Sequence, residues 1–119
     1  MTLTGGTIPI YRTLTGVRFP LHDEKELQAA MAERFTSAGL EFRREVTLAP
    51  GDIVDFMIGG TAVEVKIKGQ RRAILRQCER YAAHECVSAV LLVTNVAMGF
   101  PPALAGKPTA VFNLGRAWL

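Results

Sequence analysis

From Asp23 to Ala38 the apolar residues fall at helical spacing, as Leu27, Met31, Phe35 and Ala38, with His22 or Asp23 available as N-cap and Gly39 as the C′ residue. The spacing predicts an amphipathic helix laid on a sheet. Three extended segments follow: Glu41 to Leu48, Ile53 to Ile58 and Thr61 to Ile67. The intervening Ala49-Pro50-Gly51-Asp52 has turn composition, and Gly59-Gly60 is the two-residue hairpin signal in which both glycines can take positive φ. An antiparallel meander is expected. Gln70 to about Glu85 reads as a second helix with Ile74, Leu75, Cys78, Tyr81 and Ala82 on one side. The near-continuous apolar run Ser88 to Thr94 predicts a strand buried on both faces.

The flanks carry weaker patterns. Residues 1–21 are rich in Thr, Gly and Pro, and Ile8-Pro9-Ile10-Tyr11 predicts an edge strand, since Pro9 would deny one ladder hydrogen bond. Gly99 to Pro108 reads as loop with a short helical turn at Ala103 to Ala105, and Thr109 to Leu114 as a last strand leading to an aromatic tail at Trp118. The expected order is α-β-β-β-α-β plus a C-terminal strand, an α/β (α+β) fold with a mixed central sheet flanked by helices. At 119 residues, 49% hydrophobic and 21% charged, the chain suits one domain: a core of about 22–94, an N-terminal extension 1–21, and a loop and terminal strand over 95–119.

Charge and cysteine content narrow the class further. Fourteen Lys+Arg against eleven Asp+Glu leave a net charge of +3, which permits a polyanionic partner without demanding one. Cys78 and Cys86 lack the spacing of a disulfide framework, a zinc site or an iron–sulfur site, so a reduced cytoplasmic location is expected. No basic segment followed by an apolar run opens the sequence, and no stretch approaches the ~18 apolar residues of a spanning helix. Neither secretion nor membrane insertion is expected.

The chemistry concentrates on the Gly59-Gly60 hairpin. A two-residue turn there pairs Ile58 with Thr61 and, three pairs further back, Asp55 with Glu64. Side-chain alternation then puts Ile53, Asp55, Met57, Ala62, Glu64 and Lys66 on one face. Val54, Phe56, Ile58, Val63, Val65 and Ile67 take the other, wholly apolar face. Directly opposed residues have Cβ atoms only ~4.5–5.5 Å apart, and like charges so placed are destabilising unless something compensates. A divalent cation would do so: Mg²⁺ takes one or two carboxylates plus waters and phosphate oxygens, and the Val65 carbonyl could add a ligand. Lys66 would sit beside the metal-bound water and the scissile phosphate. Asp52 competes for the role of Asp55, but it would face Ile67 and point away from Glu64. Taken alone, Glu64 and Lys66 also suit an exposed charged pair on a solvated sheet.

The set Asp55…Glu64-Val65-Lys66, on a hairpin between two helices, resembles the D…(D/E)xK signature of the PD-(D/E)XK nuclease superfamily over roughly residues 22–94. The resemblance implies a restriction-endonuclease-like core and Mg²⁺-dependent phosphodiester hydrolysis, with Mn²⁺ able to substitute. It further implies Asp55, Glu64 and Val65 as metal ligands and Asp55, Glu64, Lys66 and a first-helix glutamate as catalytic residues. Glu24, on the same stripe as Leu27, Met31 and Phe35, is that glutamate. Gln77-Cys-Glu-Arg-Tyr81 resembles the Q-x-x-x-Y element of several nuclease subfamilies, although both side chains equally suit helix packing with polar tips in solvent.

Position now sharpens the charge balance. Lys66, Lys68, Arg71, Arg72, Arg76 and Arg80 crowd the approach to the second helix with Glu79 the only acid among them. Such a run is either a solvated helix face or a phosphate-backbone grip beside the metal site, without sequence readout. Lys68, Arg71, Arg72, Arg76, Gln77, Arg80 and Tyr81 are the expected nucleic-acid contacts. The favoured reading is a small Mg²⁺-dependent deoxyribonuclease, resembling Holliday-junction resolvases or virus-type replication-repair nucleases. DNA is the expected partner, and a homodimer or partner protein would supply specificity. The alternative is a non-catalytic nucleic-acid-binding or protein-interaction module that retains the fold.

Overall fold

The computed structural model describes residues 6–115. Helices α1 (Thr7–Leu14) and α2 (Glu24–Ser37) precede strands β1 (Arg43–Ala49), β2 (Asp52–Ile58) and β3 (Thr61–Lys66). Helix α3 (Arg71–Ala82) then leads to β4 (Ala89–Thr94), the short β5 (Ala103–Leu104) and β6 (Lys107–Asn113). The strands form one mixed six-stranded sheet in the order β1-β2-β3-β4-β6-β5. Strands β1, β2 and β3 make the antiparallel meander, and β3, β4 and β6 run parallel. No helix among the described residues is long and apolar enough to cross a membrane.

Two apolar cores lie on opposite faces of this sheet. Ile10 and Leu14 of α1 join Leu27, Met31 and Phe35 of α2 over Phe56, Val63, Val65, Leu91 and Val93. On the other face Ile74, Cys78, Tyr81 and Ala82 of α3 cover Met57, Ala62, Val90 and Leu92. Every residue of β4 is buried, as a parallel strand covered on both faces must be. The Asp23 carboxylate caps α2 by accepting the Glu26 N–H at 3.0 Å, and Gly39, at φ +76, takes the left-handed turn that ends it. Lys107 secures the end of α3, its ammonium donating to the carbonyls of Ala82, His84 and Val87 at 2.6–3.0 Å.

Several expectations need correction. Ile8 to Tyr11 is helical, within α1. Pro9 lies in the first turn, where its missing N–H costs nothing, and Ile10 and Leu14, four apart, bury one helical face. Ala103 to Ala105 is no helical turn: β5 pairs back on β6 through Ala105 and Gly106, both at positive φ as in a type I′ hairpin. Only Gly59 of the Gly59-Gly60 turn has positive φ. Gly60 instead lies close to Ser88: a Cβ there would press on the Ser88 side chain and make it give, and the Ser88 N–H donates to the Gly60 carbonyl at 2.8 Å. His84, just beyond α3, bonds Asp52 at 3.0 Å. Trp118 lies outside the described residues.

The alternation along β2 also breaks. Phe56 packs on the α2 side as expected, but Val54 joins Met57 and Ala62 beneath α3, and Ile53 is 51% exposed. The pairing of β1 with β2 skips one position between Arg44↔Phe56 and Val46↔Val54. That position is Glu45 opposite Asp55, and Glu45 carries φ +52. A face switch at Asp55 is therefore built into both strands.

Candidate active site

The hairpin register is the one the turn dictates: Ile58 pairs with Thr61, Met57 with Ala62 and Phe56 with Val63. Beyond Val63 the strands part, and side chains take over from the ladder. The Val65 N–H donates to Asp55 Oδ2 at 2.8 Å, and the Asp55 N–H donates to Glu64 Oε1 at 3.4 Å. Asp55 and Glu64 are thus brought together across the hairpin. The N–H and C=O of one strand residue point the same way, so the Val65 carbonyl lies on the β3 edge that Asp55 occupies. Lys66 Nζ sits 3.5 Å from Glu64 Oε2 and is 25% exposed in its side chain.

Glu24, the first residue of α2, reaches the end of β3, where its Oε1 accepts the Ile67 N–H at 2.9 Å. Its charge is felt at Asp55, whose carboxyl it pushes upward. Glu24 thus ties helix α2 to the site through the backbone. Among the described residues no group of three or more His, Cys, Asp or Glu side chains is arranged to hold a metal ion, so a cation here would rest on the Asp55–Glu64 pair.

Burial governs the electrostatics. Glu64 is 2% exposed, and desolvation, followed by the Asp55 charge, pushes its carboxyl up to about 8, against the pull of the Lys66 ammonium. Asp55 is also raised, by desolvation first, while the Val65 N–H and the bond with Glu64 pull the other way. Both neighbouring carboxyls thus hold a proton more tightly than they would in water. Burial likewise pushes the Cys78 thiol beneath α3 up to about 12, so it behaves as a core hydrophobe.

The basic run divides by partner. Lys68, Arg71, Arg72 and Arg76 are exposed in the loop and first turns that follow Lys66. Arg80 is drawn to Asp52, its Nε 3.0 Å from Oδ1, and Arg80 and His84 together hold the Asp52 carboxyl below its usual range, the His84 hydrogen bond foremost. Asp52 is thus committed to α3. Gln77 and Tyr81 do share a face, at 2.8 Å from Nε2 to hydroxyl, but Tyr81 is wholly buried and its hydroxyl donates to the Ile53 carbonyl. Tyr81 is therefore a packing residue locking α3 to β2, and the expectation of a nucleic-acid contact there is corrected. Sequence reasoning also missed Thr94, whose buried hydroxyl donates to the Lys66 carbonyl at 2.6 Å. A lone threonine ending an apolar run carried no signal for that bond.

No protein-family model, curated protein or solved structure matches this chain.

Proposed function

We propose that this protein is a Mg²⁺-dependent nuclease that hydrolyses DNA phosphodiester bonds, built on a restriction-endonuclease-like core. The observation that carries the reading is the convergence of Asp55, Glu64 and Lys66 where β2 and β3 part. The contiguous order α2-β1-β2-β3-α3-β4 supports it. Two recessed carboxylates with raised proton affinity, beside the Lys66 ammonium, are hard oxygen donors, and that donor set suits Mg²⁺ or Mn²⁺.

Asp55 and Glu64, with the Val65 carbonyl, would hold the ion, which when bound supplies an activated water and neutralises charge on the phosphate. Lys66, beside Glu64 and reaching solvent, orients the attacking water and stabilises negative charge developing on the phosphoryl oxygens. Glu24 steadies the end of β3. Lys68, Arg71, Arg72 and Arg76 grip the sugar-phosphate backbone without reading bases. Branched DNA or a repair or recombination intermediate is the proposed substrate, with specificity supplied by a homodimer or partner protein. The reduced cysteines suit a cytoplasmic protein.

The burial of Glu64 favours one second reading, a module that binds nucleic acid without cutting it. A cleavage assay on plasmid, branched and single-stranded DNA with Mg²⁺ or Mn²⁺ decides. Cleavage abolished by Glu64→Ala and Lys66→Ala is expected. Cleavage of no substrate, or cleavage that survives both substitutions, overturns the nuclease reading.

A further inference from the structure

Lys66 ends β3, and the peptide group that follows it keeps one backbone ladder bond, to β4. That peptide, Lys66 C=O to Ile67 N–H, is gripped at both ends. Its oxygen accepts the Thr94 hydroxyl at 2.6 Å and the Asn95 N–H at 3.2 Å, and its N–H donates to Glu24 at 2.9 Å. Thr94, the last residue of β4, is wholly buried and lies beside Lys66 in the parallel ladder. Its hydroxyl also accepts the Val96 N–H at 2.9 Å, which occupies a lone pair and leaves the hydroxyl hydrogen to point at the Lys66 carbonyl. On the other side of Lys66, the Val65 N–H is held by Asp55.

We infer that Thr94 is a positioning residue for Lys66, fixing with Glu24 the plane of the 66–67 peptide and thereby the direction in which the Lys66 side chain leaves the strand. The inference rests on the nuclease reading for its catalytic consequence, and on the hydrogen bonds alone for its structural one. A buried hydroxyl with both its donor and its acceptor engaged orders neighbouring groups more tightly than shape alone would. An ammonium displaced by about 1 Å from a reacting phosphate loses rate while binding persists.

The experiment compares wild type with Thr94→Val, which keeps shape and removes the hydroxyl, and Thr94→Ser, which keeps the hydroxyl. The first measurement is amide hydrogen exchange at Ile67, read against global stability from thermal melting. Thr94→Val is expected to speed Ile67 exchange about tenfold beyond any global change, and Thr94→Ser to stay within about twofold of wild type. Unchanged Ile67 exchange in Thr94→Val overturns the inference. The second measurement is DNA cleavage, where Thr94→Val should lower kcat about tenfold with KM unchanged and Thr94→Ser should restore it. A Thr94→Val variant that cleaves at the wild-type rate also overturns it. A wild type that cleaves nothing, with Ile67 exchange still accelerated, supports the positioning of Lys66 and removes the nuclease reading instead.

Discussion

Asp55 and Glu64 each lend a carboxylate oxygen to the backbone of the other's strand: Asp55 accepts the Val65 N–H, and Glu64 accepts the Asp55 N–H. Ordinary ladder bonds between β2 and β3 stop at Phe56 and Val63, one residue earlier. The carboxylates therefore serve as architecture and as candidate chemistry at once, and substitutions can separate the two.

Asp55→Asn preserves an oxygen for the Val65 N–H, whereas Asp55→Ala leaves that donor unmet, which costs about 1–3 kcal/mol. Urea denaturation should place Asn near wild type and Ala clearly below it. Both variants should lose Mg²⁺ binding, measured by calorimetry. Equal stability of the two would show that the hydrogen bond contributes nothing.

Stability should depend on pH through Glu64. Its carboxyl titrates near 8 when folded against 4.5 as the ordinary value, so between these limits the folded state binds more protons than the unfolded one. The stabilising contribution is complete below pH 4.5 and is lost as pH rises toward 8. Melting temperatures in chelator should fall across that window, and Glu64→Gln should flatten the fall and exceed wild type at its alkaline end. Added Mg²⁺ should restore wild type most at the alkaline end, where the carboxylate is free to bind. A Glu64→Gln profile parallel to wild type would assign the slope elsewhere.

Lys68, Arg71, Arg72 and Arg76 are exposed, whereas Arg80 is held by Asp52. Arg72→Ala should weaken DNA binding about equally for all sequences and lower the slope of log K against log salt by about 1. Arg80→Ala should lower it less and should cost stability. Fluorescence anisotropy over a salt series reads both, and a larger loss of slope at Arg80 would misplace the interface.

Glu45 sits opposite Asp55 with φ +52, a conformation that costs a non-glycine residue about 1–2 kcal/mol. Glycine in a strand is ordinarily destabilising, yet Glu45→Gly should be neutral or stabilising by up to about 1 kcal/mol, while Glu45→Val should destabilise. Denaturant midpoints of the two variants give the sign directly.

The residues themselves carried much of this arrangement. Leu27, Met31 and Phe35 repeat at helical period and are buried accordingly, and Gly59-Gly60 sets a register in which Asp55 must meet Glu64. Such features are local, because a turn and a periodicity involve only neighbours along the chain. Helix α1 was hidden because Pro9 reads as a strand edge until its place in a first turn is known. The face switch at Asp55 was invisible for a different reason. It depends on Glu45, ten residues away, adopting positive φ, and on the Val65 N–H choosing a carboxylate over a ladder partner.

Identity and order along the chain thus determined α2, α3, the meander, β4 and the meeting of the two carboxylates, but neither α1 nor β5. Tertiary structure alone decided which polar groups are spent on the fold. Asp52 and Arg80 hold each other, Tyr81 is locked to Ile53, and Glu24 and Thr94 grip opposite ends of one peptide after Lys66. The reason is physical: a buried donor or acceptor must find a partner, and the partner is whichever group packing brings within reach, from anywhere in the sequence.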